Sequence, residues 1–267
     1  KDSLNKLKHI WNSKHPDMKI TSNKYFDIWK DLKSLLNNTC SRESCWLNEL
    51  YDNEHLREKE YLINFAAKMP NSWKKNPSEW LSSLDIIEVM KRWENIDKEF
   101  EFIGPSPIDY DTHIMYNECV WEELCEFNLK ETLERGKRKI GIIFNLDKHN
   151  QPGSHWVALY SDFNLGEVYY YDSYGIMPPD EVRVLMNRIS SQGKNITTKY
   201  SKTGEPFKMY YNDIRHQFKN SECGVYSMHF ISECLSGKHF KDVINNRVLD
   251  DAMNKNRNIF YRSETKI

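Results

Sequence analysis

Apolar residues recur every three or four positions in the first part of the chain, which is the pattern of amphipathic helices. The stripe in segment 25–36 consists of Tyr25, Ile28, Trp29, Leu32, Leu35 and Leu36. Segment 47–67 has similar spacing, and Pro70 and Pro77 then interrupt the pattern. The spacing predicts a helical N-terminal extension over residues 1–75 and a second domain over 76–267.

From Lys139 the pattern changes to short β-branched and aromatic runs bounded by turn residues, which is typical of strands. Strands are predicted at 140–144, 156–160, 168–171, 196–200 and 207–211. Helices are predicted over 119–134, over 180–189, from about Cys223, and again in the C-terminal segment. Because the strands cluster between helices, the sequence predicts an α+β domain with an antiparallel or mixed sheet.

The charge balance excludes several classes of partner. Lys and Arg total 38 and Asp and Glu total 39, giving a net charge of −1. No global field therefore favours nucleic acid or an anionic membrane. No apolar stretch approaches the roughly 18–20 residues that span a bilayer. A protein that binds neither nucleic acid nor membrane is expected.

The six cysteines are spread too loosely to indicate a disulfide framework. They are Cys40, Cys45, Cys119, Cys125, Cys223 and Cys234. Four residues separate Cys40 from Cys45 and five separate Cys119 from Cys125, which is wider than the cysteine spacing of the usual zinc knuckle. No pair of histidines follows at the spacing of metal ligands. We therefore expect mostly buried free thiols, an intracellular reducing compartment, no metal and no cofactor.

A histidine and an aspartate flank two predicted strands that are joined by a turn at 161–166. A hairpin centred between Phe163 and Asn164 would place His155 directly opposite Asp172. A carboxylate beside an imidazole fixes the imidazole tautomer and stabilises the imidazolium. The pair is therefore a candidate base with its orienting group, although a strand-end histidine and a turn aspartate also have ordinary structural explanations.

Cys223 stands where a loop enters an apolar helix. The unpaired N–H groups and the dipole of a helix start favour thiolate over thiol. The same N–H groups point to the place where a carbonyl oxygen becomes negative, and Gln217 is positioned to add a side-chain amide to that oxyanion. Gly224 would let a substrate backbone approach closely. A buried structural cysteine is the alternative, but the conjunction with His155 favours a nucleophile.

The combined motifs resemble the active-site signature of the SUMO-specific and adenovirus protease superfamily, which includes proteases of large DNA viruses. The motifs that carry the resemblance are His155-Trp156, Asp172, and Gln217-x5-Cys223-Gly224. The resemblance covers roughly residues 77–240. Its order of His, Asp, Gln and Cys is the reverse of papain, in which the cysteine comes first.

The resemblance implies a papain-like architecture, in which a mixed sheet faces a central helix that bears the nucleophile. It implies a catalytic triad of Cys223 as nucleophile, His155 as base and Asp172 as orienter. It also implies an oxyanion hole made by the Gln217 side chain and the Cys223 backbone N–H.

Two tryptophans are implied to bind substrate. Trp156 resembles the family residue that roofs a narrow tunnel. Trp80 resembles the tryptophan of the family's Trp-Leu-x-Asp helix start, although Asp85 comes later here, and core packing explains Trp80 equally well. An aromatic tunnel admits only glycine without a clash, so the resemblance implies cleavage after Gly-Gly or Gly-x-Gly.

Three functions remain open at this point. The helical extension, the Lys/Asn-rich composition and the departure near Trp80 favour a viral protease that matures structural polyproteins, in the host cytoplasm or virion. The second candidate is a processing protease or isopeptidase for ubiquitin-like or SUMO-like modifiers, with the nucleus as a possible location. An acetyltransferase of the same fold is a minor third candidate, and the intact residue set disfavours an inactive binding module.

Overall fold

The computed structural model describes residues 2–40, 43–54, 56–57, 60, 66–197 and 204–262. Its contacts divide the chain into two units. One consists of Lys1–Lys68 with Arg262–Ile267, and the other is Met69–Tyr261. Within the described residues, no helix has both the length and the apolar character that crossing a bilayer requires.

Helices and short strands alternate through the described chain. The helices are α1 (Asp2–Lys14), α2 (Tyr25–Leu36), α3 (Glu43–Leu50), α4 (Ser83–Ile96), α5 (Glu122–Cys125), α6 (Leu129–Glu134), α7 (Asp180–Gln192), α8 (Cys223–Leu235), α9 (Phe240–Asn245) and α10 (Asp250–Phe260). The strands are β1 (Ala67–Lys68), β2 (Phe100–Phe102), β3 (Ser106–Pro107), β4 (Lys139–Asn145), β5 (Trp156–Asp162), β6 (Glu167–Tyr171), β7 (Lys208–Tyr211) and β8 (Tyr261–Arg262).

The N-terminal unit has a hydrophobic core of its own. The stripe predicted for segment 25–36 is α2, which buries Ile28, Leu32 and Leu36. Side chains from α1 and α3 complete this core, including Trp11 and Trp46. The helix predicted over 47–67 coincides with α3 at its start, and residues 54, 56, 57 and 60 are also helical, while part of that segment lies outside the described residues.

A mixed sheet forms the centre of the larger unit, which confirms the predicted α+β class. Its strand order is β2-β4-β5-β6-β7, and β3 also pairs with β4. The β4–β5 and β5–β6 pairs are antiparallel, whereas β2–β4, β3–β4 and β6–β7 are parallel. The strand predicted at 196–200 lies partly outside the described residues.

Helices cover both faces of this sheet. Alternate strand residues such as Ile142 and Leu159 join a core with Leu185 of α7. On the opposite face α8 packs across β5, and the ring of Tyr171 stacks on Phe230 with centroids 4.7 Å apart. Because both faces are covered, β5 is buried at every position, and its first five residues form a continuous apolar run in the sequence.

The predicted helix over 119–134 is two short helices. Asn128 separates α5 from α6, and its side chain accepts hydrogen bonds from the N–H groups of Lys130 and Glu131. An asparagine at this position is a strong N-cap, so it starts a new helix and does not continue the old one.

The β5–β6 hairpin is shifted from the predicted register. Asp162 and Glu167 are the last pair, and Asp162 Oδ1 accepts the N–H groups of Asn164 and Leu165. Gly166 takes the left-handed conformation that closes this four-residue loop. The prediction of a turn centred between Phe163 and Asn164 was therefore wrong by one residue at the turn.

The expectation of free thiols is wrong for four of the six cysteines. Disulfides join Cys40 to Cys45 and Cys119 to Cys125. Cys223 and Cys234 are free and buried. Pairs this close in sequence meet because each closes a short loop next to a helix. A reducing compartment stays a prediction.

Candidate active site

Cys223 is the first residue of α8, and Glu222 is its N-cap. The first N–H groups of a helix have no acceptor within the helix, so those of α8 are available beside the Cys223 sulfur. The residue is only 3% exposed. The sequence prediction of a helix beginning near Cys223 is confirmed, and the helix lies against β5 of the central sheet.

The structure brings His155 and Asp172 to the thiol. His155 Nε2 lies 2.7 Å from Asp172 Oδ1, and the side chains are 10% and 1% exposed. The Cys223 thiol is close enough to His155 to raise the pKa of the imidazole, and because Nε2 faces Asp172, Nδ1 is the ring nitrogen left for the sulfur. The imidazole therefore connects the carboxylate to the thiol, as a base and its orienter require.

The observed hairpin register changes the relative positions of His155 and Asp172 on the two strands. Extending the observed pairing places Val157 opposite Asp172 and Tyr174 opposite His155. His155 and Asp172 are diagonal neighbours on one face, which is still within hydrogen-bonding reach for long side chains. The directly opposite residue, Tyr174, instead stacks its ring on the His155 ring with centroids 4.5 Å apart and an angle of 9° between the planes.

The surroundings of His155 favour the imidazolium. Burial is the largest single influence and lowers the pKa of His155. The hydrogen bonds to Asp172 and Cys223 and the negative charges of those groups outweigh it, and they raise the pKa to about 9. His155 is thus poised to hold a proton taken from the thiol.

Asp172 is held by a buried asparagine from a distant part of the chain. Asn212 Oδ1 accepts the Asp172 N–H at 2.8 Å, and Asn212 Nδ2 donates to the Asp172 carbonyl at 2.7 Å. The Tyr174 N–H donates to Asp172 Oδ1 at 2.9 Å. These bonds fix the carboxylate at the end of β6 before any substrate binds.

Gln217 is fully buried, and its carboxamide orientation is set by two neighbours. Ser173 Oγ donates to Gln217 Oε1, and Gln217 Nε2 donates to the Lys219 carbonyl, both at 2.6 Å. The N–H groups of His216 and Gln217 both donate to the Ser173 carbonyl at 2.8 Å. An amide nitrogen carries two hydrogens, so one Nε2–H remains for a further acceptor.

Trp156 and Gly224 form one packed contact with Leu81. Trp156 Nε1 donates to the Leu81 carbonyl at 3.1 Å. A Cβ at Gly224 would come within 3.0 Å of the Leu81 side chain and 3.2 Å of Trp156. The missing side chain of Gly224 therefore lets the helix start pack against these walls. A direct role of Gly224 in binding substrate stays a prediction.

Trp80 is 44% exposed and lines two clefts. One cleft has a volume of about 730 Å³ and includes Tyr174 and Phe218. The other, of about 700 Å³, includes Trp156. Trp80 therefore lies at the surface and does not belong to the buried core.

Asp85, which follows Trp80 by more residues than the family motif predicts, is placed by the start of α4. The Ser82 N–H donates to Asp85 Oδ2 at 2.8 Å, and the Asp85 N–H donates back to Ser82 Oγ at 3.3 Å. This capping box starts α4 at Ser83.

A buried ion pair lies directly before the thiol. Arg257 Nε donates to Glu222 Oε2 at 2.8 Å and its Nη2 to Glu222 Oε1 at 3.1 Å, with both side chains at most 3% exposed. Arg257 Nη2 also donates to the Glu79 carbonyl at 2.7 Å. The arginine of α10 thus ties the residue before Cys223 to the residue before Trp80.

Sequence reasoning missed Tyr174, Asn212, Glu222 and Arg257. Only Glu222 and Tyr174 had a local signal, because each adjoins a predicted motif. Asn212 and Arg257 reach the site across long sequence separations, which a single sequence does not encode as a pattern.

Two groups of described residues carry metal-ligating atoms close together. They are His113 with Cys119 and Cys125, and Cys40 and Cys45 with Glu49. In both groups the sulfur atoms are joined in a disulfide, so they offer no thiolate to a metal.

Comparison with known families agrees with this geometry. The sequence profile of the Ulp1 protease family, C-terminal catalytic domain, matches residues 130–264. The R355 protein of Acanthamoeba polyphaga mimivirus, named as a thiol protease, is 33% identical over 246 residues, which are 92% of this chain and 77% of R355.

African swine fever virus supplies a second relative. Its cysteine protease S273R is 27% identical over 254 residues, covering 88% of this chain and 89% of that protein. In another isolate it is named SUMO-1 cysteine protease. The crystal structure of the pS273R protease superimposes with a TM-score of 0.63 at 24% identity, over 91% of this chain and 94% of that one, and so shares the fold.

Proposed function

This chain belongs to the Ulp1 protease family and is a cysteine protease, and on that premise we propose that it cleaves protein chains after glycine with a triad of Cys223, His155 and Asp172. One observation carries the proposal. His155 Nε2 lies 2.7 Å from Asp172 Oδ1, and the Cys223 thiol acts on the same imidazole and raises its pKa. That arrangement suits a thiol that must lose its proton to attack.

The first half of the reaction forms a thioester. His155 takes the thiol proton, and the Cys223 sulfur bonds to the carbonyl carbon of the scissile peptide while the carbonyl electrons move to oxygen. When the intermediate collapses, the C–N bond breaks and His155 gives its proton to the departing amine. Asp172 keeps the imidazole oriented throughout and stabilises its charged form.

The second half releases the acyl product. His155 removes a proton from water, and the oxygen bonds to the thioester carbon. The C–S bond then breaks, which frees a carboxylic acid and returns the thiolate beside the protonated His155. The cycle consumes one water and needs no cofactor in its chemistry.

Negative charge on the carbonyl oxygen is stabilised by two donors in this proposal. The Cys223 backbone N–H lies at the open start of α8, where no helical acceptor competes for it. The second donor is the remaining Nε2–H of Gln217. The bond from Ser173 supports this role, because it prevents the carboxamide from presenting its oxygen instead.

Glycine specificity is proposed from the walls beside the thiol. Leu81 and Trp156 fill the space next to Gly224, and Trp80 stands exposed at the adjoining clefts. A residue with a large side chain would have to displace these rings, whereas glycine would not. The narrow aromatic approach supports cleavage after Gly-Gly or Gly-x-Gly.

Maturation of a viral structural polyprotein is the proposed setting. It is supported by the two viral relatives, which match over most of their own lengths. A modifier-processing protease or isopeptidase is the second candidate, and the SUMO-1 protease name of one relative favours it. The proposed location is intracellular, in the host cytoplasm, the nucleus or a virion, where Cys223 stays a free thiol while the Cys40–Cys45 and Cys119–Cys125 pairs are joined.

Turnover of matched substrates separates the two settings. The protein is incubated with fluorogenic SUMO and ubiquitin C-terminal conjugates and with a panel of Gly-Gly-x peptides. Cleavage of the peptides with little modifier turnover supports polyprotein maturation, and the reverse pattern supports modifier processing. Peptides in which alanine replaces the glycine before the cut should be poor substrates, and equal cleavage of them would refute the glycine specificity.

The nucleophile is tested by Cys223→Ala, with Cys234→Ala as the matched control. Cys234 is the other free buried cysteine, and it lies near the far end of α8. We expect Cys223→Ala to abolish turnover with an unchanged melting temperature, and Cys234→Ala to stay active. Activity retained by Cys223→Ala would end the proposal.

Gln217 is tested by Gln217→Ala and Gln217→Glu. Loss of one oxyanion donor should lower kcat by about 10²-fold or more while KM changes little. Because the Gln217 carboxamide is buried among Ser173 and Lys219, folding is monitored by thermal melting. A decrease below about threefold in a folded variant would limit Gln217 to a structural role.

A further inference from the structure

Planar groups stack in sequence from the catalytic imidazole toward the surface. The ring of Tyr174 stacks on the ring of His155. The guanidinium carbon of Arg215 lies 5.2 Å from the centroid of the Tyr174 ring and 5.0 Å from the centroid of the Phe218 ring. The guanidinium of Arg247 lies 5.6 Å from the Phe218 ring. We call Tyr174, Arg215, Phe218 and Arg247 the stacked arginine row.

Arg215 and Arg247 are both exposed, and their positive charges are not paired with a carboxylate of the described residues. Arg215 Nε donates to the Gln217 carbonyl at 2.7 Å, and Arg247 Nη1 contacts the Arg215 carbonyl at 3.4 Å. Neither forms an ion pair with a carboxylate among the residues that the structure describes. Lys219, the next cation along, is already paired with Asp251 at 2.6 Å. The row therefore presents two guanidinium forks without a partner anion.

The forks are held in place before any ligand arrives. Stacking on aromatic rings fixes the guanidinium planes, which reduces the entropy lost when a carboxylate binds. The backbone at Arg215 packs closely against Gly175, where a Cβ would lie 2.9 Å from the Arg215 backbone nitrogen. A preorganised fork suits the two oxygens of a carboxylate.

The row is continuous with the cleft beside the thiol. Tyr174 and Phe218 line the cleft of about 730 Å³, together with the exposed Trp80. Ser221, two residues before Cys223, lines the same cleft, so a chain that lies in the cleft and extends toward Cys223 would run beside the exposed Phe218 ring. The substrate itself is thus the occupant that contacts the row, and the charge that complements it is negative.

We propose that the stacked arginine row is a substrate subsite that binds an Asp or Glu side chain a few residues from the scissile bond. The inference rests on the proposed proteolytic function and adds the chemistry of the substrate segment. The flanking carboxylate pairs with Arg215 and Arg247, and Phe218 contacts the neighbouring apolar part of the chain. Matched peptides with glutamate at this position should bind tighter than those with glutamine.

Binding is measured on the Cys223→Ala variant of the 267-residue chain, so that the readout does not depend on turnover. Fluorescein-labelled peptides carry a central Gly-Gly and place Glu or Gln at each of the flanking positions in turn. At one or two positions the Glu peptide should bind about fivefold tighter than its Gln partner, the size of an exposed ion pair of about 1 kcal/mol. High salt should reduce the preference.

Arg215→Gln and Arg247→Gln should each remove most of this preference and leave the affinity for Gln peptides within about twofold. Arg247 does not contact Gln217, so its variant separates the subsite from the oxyanion hole. Arg183→Gln is the matched control, since Arg183 is exposed on α7 and lines neither cleft beside Trp80.

The outcomes separate this inference from the proposed function. Equal affinity for Glu and Gln peptides, or no binding of any Glu peptide, overturns the subsite even if the active enzyme cleaves Gly-Gly peptides. An acidic preference that both arginine variants lose supports the subsite even if glycine cleavage fails. A DNA oligonucleotide that displaces the peptides through the same arginines would assign the row to nucleic acid and overturn it as well.

Discussion

Two buried ionic pairs flank the thiol, and they differ in what their surroundings allow. On the sheet side, Asp172 faces His155, whose pKa of about 9 lets its proton leave and return within the pH range in which proteins stay folded. On the helix side, Glu222 faces Arg257 in a two-point hydrogen-bonded ion pair, and arginine is a residue type that does not transfer protons in proteins. The first pair can change its charge during a reaction, whereas the second cannot.

Their hydrogen bonds follow the same division. Glu222 accepts from Arg257 twice and from Asn254 Nδ2 at 2.9 Å, so the carboxylate is surrounded by donors. His155 is 10% exposed, and its second nitrogen faces a thiol that must react. The comparison predicts that breaking the sheet-side pair mainly slows chemistry, whereas breaking the helix-side pair mainly destabilises the fold.

The largest effect is expected from Asp172→Asn. Asparagine keeps the shape but removes the charge and offers an N–H where His155 needs an acceptor, so the imidazole tautomer is wrong. We expect kcat/KM to fall on the order of 10³- to 10⁴-fold, with the melting temperature changed far less than the rate. Steady-state kinetics with a Gly-Gly peptide and thermal melting measure the two quantities.

The same variant tests the pH dependence. The folded pKa of His155 is raised to about 9, above the unfolded value of roughly 6.5. Its protonation therefore stabilises the fold fully below about pH 6.5, and this contribution is lost as pH rises through 9. Activity of the native protein should decline along the same alkaline limb. In Asp172→Asn that limb should move to lower pH, and an unmoved limb would argue against the pair.

The second largest effect is expected from Arg257→Met. It leaves Glu222 charged and buried without its partner, which costs about 3–5 kcal/mol in comparable sites. Chemical denaturation should show this loss in the free energy of unfolding. Adding Glu222→Leu to Arg257→Met should restore most of the stability, because the uncompensated charge is gone. A single variant as stable as the native protein would contradict the division drawn above.

The sequence predicts much of the sheet-side pair. Strand periodicity locates β5 and β6, and the residues at their ends become neighbours once the hairpin forms. The register was wrong because Asp162 and Gly166 build a four-residue loop, a choice that depends on local hydrogen bonds. Each partner is shifted by two residues, which is the repeat of side-chain direction along a strand, so His155 and Asp172 still share a face of the sheet.

The sequence did not predict the ion pair of Glu222 and Arg257, for a different reason. Periodicity predicts that α8 and a C-terminal helix exist, but it does not show which faces of them meet. Arg257 reaches Glu222 from a distant helix, and Asn212 reaches Asp172 from the end of β7, which pairs in parallel with β6. Such contacts follow from the packing of elements and have no spacing signature. The two disulfides were also missed, because six cysteines spread over 267 residues do not form the dense spacing pattern that indicates a disulfide framework.

The smallest effect tests whether the sheet-side pair has a third member. Tyr174 covers one face of the His155 ring, and the negative π face of tyrosine favours an imidazolium over a neutral ring. Tyr174→Leu keeps an apolar cover without that face, so kcat should fall about two- to tenfold and the alkaline limb should move to lower pH. Tyr174→Phe keeps the ring and is the matched control, with a native pH profile. A merely structural cover would lower activity without moving the limb, so a pH profile that is the same in all three proteins would exclude Tyr174 from the pair.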